Sequence, residues 1–360
     1  VDIAGTANFN NQKPLFDFTV DLKDADLHAM NINKRDSVSH LSLRANVYAM
    51  GSNVDNLNGR MVVNRGRYIY NTDTLASSIV ELTAQRDENR RSLSLVSDFA
   101  DATFTGPTSY VDLAKYLQEA MRKYLPGLAD KDERYAGSDM GYSALSLKVK
   151  DIDPLLDAVA DGLELARGTK LDFTMNPATN HLMLRAESDY IERKKWLITN
   201  LNMNLTNQSD SLSVYLSSED FYLGALHLPQ LSLMGGAKND RVLITAGLYS
   251  EANSDEDSLS GVVGLLAQVE QDSVTQQRRL AVDILPSKLS TNGQEWNIAP
   301  SHITIDTARV AVEGFCINSG EEHLDLDGVA SRSEQDSLTL RMKDFSLSPL
   351  TNFVERMGYT

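Results

Sequence analysis

The sequence of 360 residues predicts a mainly β fold, in which an elongated and repetitive antiparallel sheet curls into a groove and carries a few short helices. Three observations predict this fold class. Apolar and polar residues alternate strictly along much of the chain, helical spacing is confined to three short stretches, and the alternating stretches end in a similar way at intervals. Alternation indicates a strand with one dry and one wet face, since successive side chains point to opposite sides of a sheet.

The alternating stretches, taken in chain order, define the predicted strands. Turn-rich intervals such as 50–53, 89–92, 207–210 and 235–240 separate them, because Gly, Asn, Asp and Ser favour turns. Short connections of this kind indicate an antiparallel meander. Among the alternating apolar residues are Phe16, Phe18, Val20, Leu22, Leu41, Leu43, Ala45, Val47, Leu93, Leu95, Leu145, Leu147, Leu197, Leu201, Leu212, Val214, Val242, Ile244, Leu338, Leu340 and Met342.

Helical spacing predicts three short helices. The first spans about 109–125 and is followed by Gly127, a typical terminating residue. The second begins at Asp153–Pro154, an N-cap residue followed by a first-turn proline, and carries Leu155, Leu156, Val159 and Leu163 towards Arg167. The third begins in the same way at Ser348–Pro349. Three short helices cannot cover so many strands. The apolar face of the third helix consists of Leu350, Phe353, Val354 and Met357.

An internal repeat organises the chain. Alternating strands end in an aspartate that is followed, at once or after a short gap, by a bulky apolar residue. The unit measures roughly 60 residues, so we expect residues 1–360 to form one elongated repeat region with a helical insertion at about 109–125. A carboxylate at the end of a strand bonds nearby backbone N–H groups in a turn, which favours a structural role. The predicted strand ends lie at Asp24, Asp98, Asp151, Asp220, Asp283 and Asp344.

The dry face of such an array must be buried, since each exposed apolar Å² costs about 25 cal/mol. A second sheet, covering helices or a ligand can bury it. No Pro-rich or Gly/Ser-rich linker divides the sequence into sandwich domains, so a curled sheet with a groove is favoured. Such a groove suits acyl chains, which need only apolar walls, while a closed core is the competing interpretation. The residues expected to line the groove are Phe16, Phe18, Val20, Leu22, Leu41, Leu43, Val47, Leu93, Leu95, Leu145, Leu147, Leu212, Val214, Leu338, Leu340 and Met342.

Composition excludes several classes of function. The 34 Lys and Arg against 50 Asp and Glu give a net charge of −16, which repels nucleic acid. A single cysteine, Cys316, excludes an internal disulfide and a cysteine-cluster metal site. The six histidines lack metal-ligand spacing, and no P-loop, Rossmann or nucleophile-elbow motif occurs. We therefore predict no catalytic residue, metal or cofactor, and expect that the protein is not an enzyme.

Several motifs resemble one family. The pattern Leu-x-Leu-x-x-x-Asp-Phe-x-Leu-x-x-Leu at 338–350 is similar to the TamB family of envelope proteins, part of the AsmA-like group, in its Bacteroides-type form. The segments 55–63, 93–106 and 324–331 are similar to it as well. Through repetition the resemblance covers most of the chain, and it is closest in the first 130 residues and in 300–357.

What the resemblance implies is a taco-shaped sheet with a hydrophobic interior, located in the periplasm and anchored to the inner membrane through a segment absent from this sequence. The family is linked to phospholipid passage between the two membranes and, with an outer-membrane barrel called TamA, to outer-membrane protein assembly. The expected partners are phospholipid and a TamA-like barrel, and not nucleic acid.

Three functions remain open. The first is a groove that shields acyl chains in transit, and the second is a non-enzymatic scaffold whose strand edges pair with client strands. The third is a β-solenoid or sandwich enzyme that acts on polysaccharide. An aromatic content of only 7% disfavours it, since a sugar-binding cleft needs aromatic and acidic side chains.

Overall fold

A computed structural model describes the chain except residues 10–12, 35, 111–112, 114, 116–120, 127–140, 154, 157–161, 208–209, 225, 250–258, 272–277, 292 and 345–360. Strands make up 70% of the structure and helices 4%, and the described part contains no helix of seven or more residues. The mainly β, repetitive antiparallel fold predicted from the alternation is confirmed.

The chain divides into two compact units. Unit 1 comprises Val1–Tyr116 and Tyr135–Lys194, and unit 2 comprises Leu117–Arg134 and Lys195–Thr360. The described connections between consecutive strands are mostly short, so that sequence neighbours pair antiparallel as in a meander. The repeat of roughly 60 residues stays a prediction.

The described residues of unit 1 form a meander of eleven strands. Neighbours in the chain pair from β1 to β8, then β8 pairs with β10 and β10 with β11, and the short β9 pairs with the end of β11. The strands are β1 (Asp2–Asn8), β2 (Leu15–Asp26), β3 (Ser39–Met50), β4 (Asn58–Tyr70), β5 (Asp73–Arg86), β6 (Arg91–Ser97), β7 (Ala100–Gly106), β8 (Ser143–Val149), β9 (Leu163–Leu165), β10 (Lys170–Asn176) and β11 (His181–Arg193). Single 3-10 turns lie at Val54–Asn56 and Pro177–Thr179.

Fourteen strands lie in the part of unit 2 that the structure describes. They are β12 (Trp196–Thr206), β13 (Leu212–Ser217), β14 (Asp220–Leu223), β15 (Leu226–Pro229), β16 (Ser232–Lys238), β17 (Arg241–Tyr249), β18 (Leu259–Gln271), β19 (Arg278–Ile284), β20 (Ser287–Thr291), β21 (Gln294–Ile298), β22 (Ser301–Ile305), β23 (Arg309–Ser319), β24 (Glu322–Ser331) and β25 (Leu338–Lys343).

Short strands of unit 2 come in pairs that line up along one longer neighbour. β13 and β14 both pair with β12, β19 and β20 both pair with β18, and β21 and β22 both pair with β23. Pro286 lies between β19 and β20, and Pro300 lies between β21 and β22. Because proline has no N–H to donate to the ladder, it ends pairing at those points.

The helix predictions are only partly met. Within 109–125, Leu113 and Lys115 of unit 1 and Met121 and Arg122 of unit 2 are helical, and the intervening residues lie outside the described part. The second predicted helix starts at Asp153 as expected, but its extension to Arg167 is wrong. Gly162 has a positive φ of 69°, which ends helical geometry, and the next residues form β9. The third helix, at 348–357, lies outside the described residues.

Candidate functional site

The pairing register of unit 1 builds one continuous apolar face. Residues directly opposite each other on antiparallel strands share a face of the sheet. Phe18 lies opposite Val47, Val47 lies opposite Met61, and the row continues strand by strand. One row consists of Phe18, Val47, Met61, Leu82, Leu95, Ala102, Leu147, Leu171 and Ala186. The row beside it consists of Phe16, Ala49, Gly59, Ala84, Leu93, Phe104, Leu145, Phe173 and Leu184.

These two rows, with Val20, Leu22, Leu41 and Leu43 beside them on β2 and β3, are called the apolar face of unit 1. Every one of the eleven unit 1 side chains predicted to line a groove lies on it. Nine strands spaced by about 4.8 Å give each row a length of about 40 Å. The face is therefore a property of the whole unit and not of one hairpin.

Burial varies along the apolar face of unit 1. Phe16, Phe18, Leu93 and Leu95 are half-buried, as expected for side chains on an open or curled surface. The face is most closed at the strands β7, β8 and β10, where Met175 is 0% exposed. There the aromatic rings of Phe104 and Tyr110 pack edge to face with centroids 5.2 Å apart. Desolvation raises the pKa of Tyr110, which agrees with its position against this part of the sheet.

The opposite face of unit 1 is mixed, with charged pairs beside the exposed Tyr48, Ile79 and Val96. Arg44 reaches Asp21 across β2 and β3 at 3.2 Å, and Arg60 donates to Glu81 across β4 and β5 at 2.8 Å. The hydrogen bond from Arg60 lowers the pKa of the Glu81 carboxyl. Exposed pairs of this kind add little stability. They do place charges on the side of the sheet opposite the apolar face.

Unit 2 has an apolar face built in the same way. Leu212 lies opposite Ala237, Ala237 lies opposite Val242, and the row crosses nine strands to β25. The row consists of Leu212, Ala237, Val242, Ala267, Val282, Ile303, Val312, Gly328 and Leu338. Val214 with its partners Gly235, Ile244 and Leu265, and Leu340 and Met342 with their partners Leu326 and Leu324, extend it. The five unit 2 residues predicted to line a groove lie on this face.

The apolar face of unit 1 ends at a polar cluster that sequence reasoning missed. The buried Arg91 donates from Nε to the backbone carbonyl of Asp55 at 3.1 Å and from its guanidinium to the carbonyl of Pro107. The carboxylate of Asp55 in turn accepts from the Ser109 hydroxyl at 2.7 Å and the Tyr110 N–H at 2.9 Å. Asp55 thus caps the first turn of the helical segment that begins near residue 109.

The repeated aspartates hold strands together by several kinds of contact. Asp98 accepts backbone N–H bonds, but from Ser78 and Ile79 on the neighbouring strand β5 and not from its own turn as predicted, because strand pairing brings those N–H groups to the carboxylate. Asp220 instead contacts Nε2 of His227 at 2.6 Å, and Asp283 contacts Nδ1 of His302 at 2.6 Å. These histidines show no motif in the linear sequence, because strand pairing alone brings them to the carboxylates.

The described residues contain no group of three or more His, Cys, Asp or Glu side chains arranged to hold a metal ion. None of the described helices has the length and apolar character needed to cross a bilayer. Family models, curated proteins and solved structures were compared with the chain, and none matches it. The similarity to a known family therefore rests on the sequence motifs alone.

Proposed function

We propose that this chain is a periplasmic segment of a TamB-like or AsmA-like protein whose apolar faces shield phospholipid acyl chains during transport between the inner and outer membranes. The observation that supports this proposal is the unbroken apolar face of unit 1, whose rows run across nine strands without a charged residue. A closed core does not require rows that continue from strand to strand over such a distance.

The dimensions of the face agree with this role. Each row is about 40 Å long, whereas one acyl chain spans about 15 Å, half of a hydrocarbon core. A row can thus accept a chain along its length and offer the same apolar environment over several positions. Half-buried residues such as Phe18 and Leu95 leave surface for a ligand to cover.

Photo-crosslinking at two pairs of adjacent positions, one pair on β2 and one on β6, tests the proposal. Crosslinking amino acids are placed at the inward-facing Phe18 and Leu95 and, as matched controls, at their outward-facing neighbours Thr19 and Val96. Phospholipid adducts, identified by mass spectrometry after purification from a bacterial envelope, are expected at Phe18 and Leu95 only. The proposal fails if no phospholipid is found at the inward positions, or if the outward positions capture it equally well.

A second candidate function is a non-enzymatic scaffold for outer-membrane protein assembly that works with a TamA-like barrel. The observation that favours it is the pair of exposed edge strands: β1 pairs only with β2, and β25 only with β24, among the described strands. Unpaired backbone groups of an edge strand can bind another strand. Crosslinks from Thr6 and Thr339 to protein, with no lipid at Phe18, would favour this function over the first.

A further inference from the structure

Two arginines lie side by side at one end of the apolar face of unit 1. Arg86, the last residue of β5, lies directly opposite Arg91, the first residue of β6. Two residues further along the same strands, Ala84 lies opposite Leu93 on the apolar face. Because side chains two apart on a strand point to the same side of the sheet, both arginine side chains lie on the side of the apolar face.

The two guanidinium groups share one acceptor. Nη1 of Arg86 donates to the backbone carbonyl of Asp55 at 2.9 Å, and Nε of Arg91 donates to the same oxygen at 3.1 Å. The Asp55 carboxylate lies 3.8 Å from Arg91. Among the described residues no carboxylate forms a salt bridge with Arg86, although Asp87 and Glu88 follow it in the turn. One carboxylate therefore faces two positive charges, in a chain whose net charge is −16.

Arg86 is the accessible member of the pair. Arg91 is only 8% exposed, and it is held in place by a further bond to the carbonyl of Pro107. Arg86 is half-buried, and its backbone N–H donates to the side-chain oxygen of Asn58 at 2.6 Å, which fixes this end of β5. A guanidinium group has five N–H donors. Arg86 can thus offer donors to a ligand, while Arg91 adds a second positive charge beside it.

The distance from Arg86 to the apolar residues of β5 suits a lipid. Ala84, Leu82 and Val80 follow Arg86 on the same side of the strand, at steps of about 6.8 Å. An acyl chain spans about 15 Å, half of a hydrocarbon core. A chain that starts at Arg86 therefore reaches past Leu82 towards Val80, and both of these side chains are half-buried.

We propose that Arg86, with Arg91 beside it, binds the phosphate group of a phospholipid whose acyl chains lie on the apolar face of unit 1. A guanidinium group can donate two parallel N–H bonds to two phosphate oxygens. A bound phosphate also offsets the repulsion between two like charges that lie directly opposite each other. The proposal rests on the transport function proposed above, and it adds a headgroup site and the end of the face at which that site lies.

A pair of lipids that differ only in the phosphate group tests the site. Isothermal titration calorimetry measures the affinity of the native chain for dihexanoyl phosphatidic acid, for dihexanoylglycerol and for inorganic phosphate. We expect the phosphatidic acid to bind about tenfold more tightly than the dihexanoylglycerol. Arg86→Gln should remove this preference and leave the affinity for dihexanoylglycerol unchanged, whereas Arg86→Lys, which retains the charge, should keep part of the preference.

Arg90 provides the matched control in the same turn. Its guanidinium group donates to the hydroxyl of Thr105 at 3.4 Å. Thr105 alternates with Phe104 of the apolar face, so Arg90 reaches the opposite side of the sheet. Arg90→Gln removes one positive charge, as Arg86→Gln does, and should leave the preference for phosphatidic acid intact. Circular dichroism verifies that all three variants remain folded.

The outcomes separate the headgroup site from the transport function. Equal affinity of the native chain for the two lipids, or a preference that survives Arg86→Gln, would overturn the site and leave the apolar face as a lipid surface. Loss of the preference in Arg90→Gln as well would assign it to the overall charge of the turn and overturn the site. Binding of inorganic phosphate that depends on Arg86, without binding of either lipid, would support a phosphate site and count against lipid transport. Binding of none of the three ligands would overturn both proposals.

Discussion

The carboxylate of Asp98, just after β6, accepts a hydrogen bond from the backbone N–H of Ile79 on β5 at 3.2 Å. It also accepts one from the N–H of Ser78, and the Ser77 hydroxyl donates to it at 3.0 Å. The Ser78 bond contributes most to lowering the pKa of Asp98 below its usual value of 3.8. The ionised carboxylate thus joins the end of one strand to the middle of its neighbour.

Replacing this carboxylate should destabilise unit 1 in a pH-dependent way. We expect Asp98→Asn to lower the free energy of unfolding by about 1 kcal/mol near pH 7. Because the folded pKa lies below the unfolded one, the contribution is complete above the unfolded pKa of about 3.8 and is lost as the pH falls through the folded pKa. Urea unfolding monitored at neutral and acidic pH measures it. Asp87→Asn, at an exposed turn, is the control, and a penalty that stays constant on acidification would contradict the assignment.

Alternation in the sequence was sufficient to predict the two faces because the face of a side chain depends only on its own strand. Phe18 and Leu95 could be placed on the dry side without knowing their partners. The sequence predicted a structural role for Asp98 as well, although not its partners, since Ser78 and Ile79 lie on the strand before it. Local periodicity carries information about orientation but not about which strands meet.

Contacts that depend on register could not be predicted. Asp283 and His302 are 19 residues apart and meet only because β19 pairs with β22. Similarly, Arg91 reaches the carbonyls of Asp55 and Pro107 from distant parts of the chain. The sequence indicated the interruptions between short strands of unit 2 only weakly, through Pro286 and Pro300, whose nitrogens cannot donate a hydrogen bond to a neighbouring strand. These contacts depend on which strands pair in three dimensions, and local sequence patterns do not specify that pairing.

A charge on the apolar face of unit 2 should weaken lipid binding, and the same charge one residue away should not. Ile244 lies on the apolar face of β17, whereas the side chain of its neighbour Leu243 is exposed on the other side. Burying a carboxyl group without a hydrogen-bond partner against an acyl chain costs at least about 2 kcal/mol, or at least roughly 30-fold in affinity. We expect this loss for Ile244→Asp and no change for Leu243→Asp.

Displacement of a fluorescent acyl probe by phospholipid measures the affinity, and circular dichroism verifies that both variants remain folded. If both variants bind phospholipid as tightly as the native chain does, the lipid binds elsewhere on unit 2 or does not bind unit 2. Loss of binding in both would indicate a general effect of charge on β17.

The close approach of β3 and β4 at Gly59 should make this glycine intolerant of any side chain. A Cβ atom at Gly59 would lie 2.3 Å from the carbonyl oxygen of Tyr48 and 2.6 Å from Cα of Ala49, so the strands would have to separate. We expect Gly59→Ala to destabilise unit 1 by about 2 kcal/mol.

Gly66 on the same strand is the matched control. Its nearest neighbour would be Cγ1 of Val63 at 3.7 Å, an ordinary contact. Gly66→Ala should therefore change the free energy of unfolding by less than about 0.5 kcal/mol. Urea denaturation of the two variants measures the difference, and equal stabilities would show that β3 and β4 leave room for a side chain at Gly59.

Met175 lies at the packed end of the apolar face of unit 1, whereas Met234 lies on an exposed surface of unit 2, so the same substitution can be compared in the two environments. Met175 on β10 is 0% exposed, whereas Met234 on β16 is 57% exposed. Met175→Ala leaves a cavity among neighbours that cannot fully close around it, so the free energy of unfolding should fall by about 3 kcal/mol. Met234→Ala removes the same atoms from a surface and should cost less than about 0.5 kcal/mol.

The effect of phospholipid on the melting temperature of these variants tests whether Met175 lies in a closed core or on the wall of a groove. A ligand that binds only the folded state stabilises it in proportion to its occupancy, so phospholipid should raise the melting temperature of the native chain. If Met175 belongs to a closed core, the deficit of Met175→Ala should persist when lipid is added, because the ligand does not enter the cavity. Recovery of the native melting temperature in lipid would instead place Met175 on the wall of the groove and extend the lipid-accessible surface to β10.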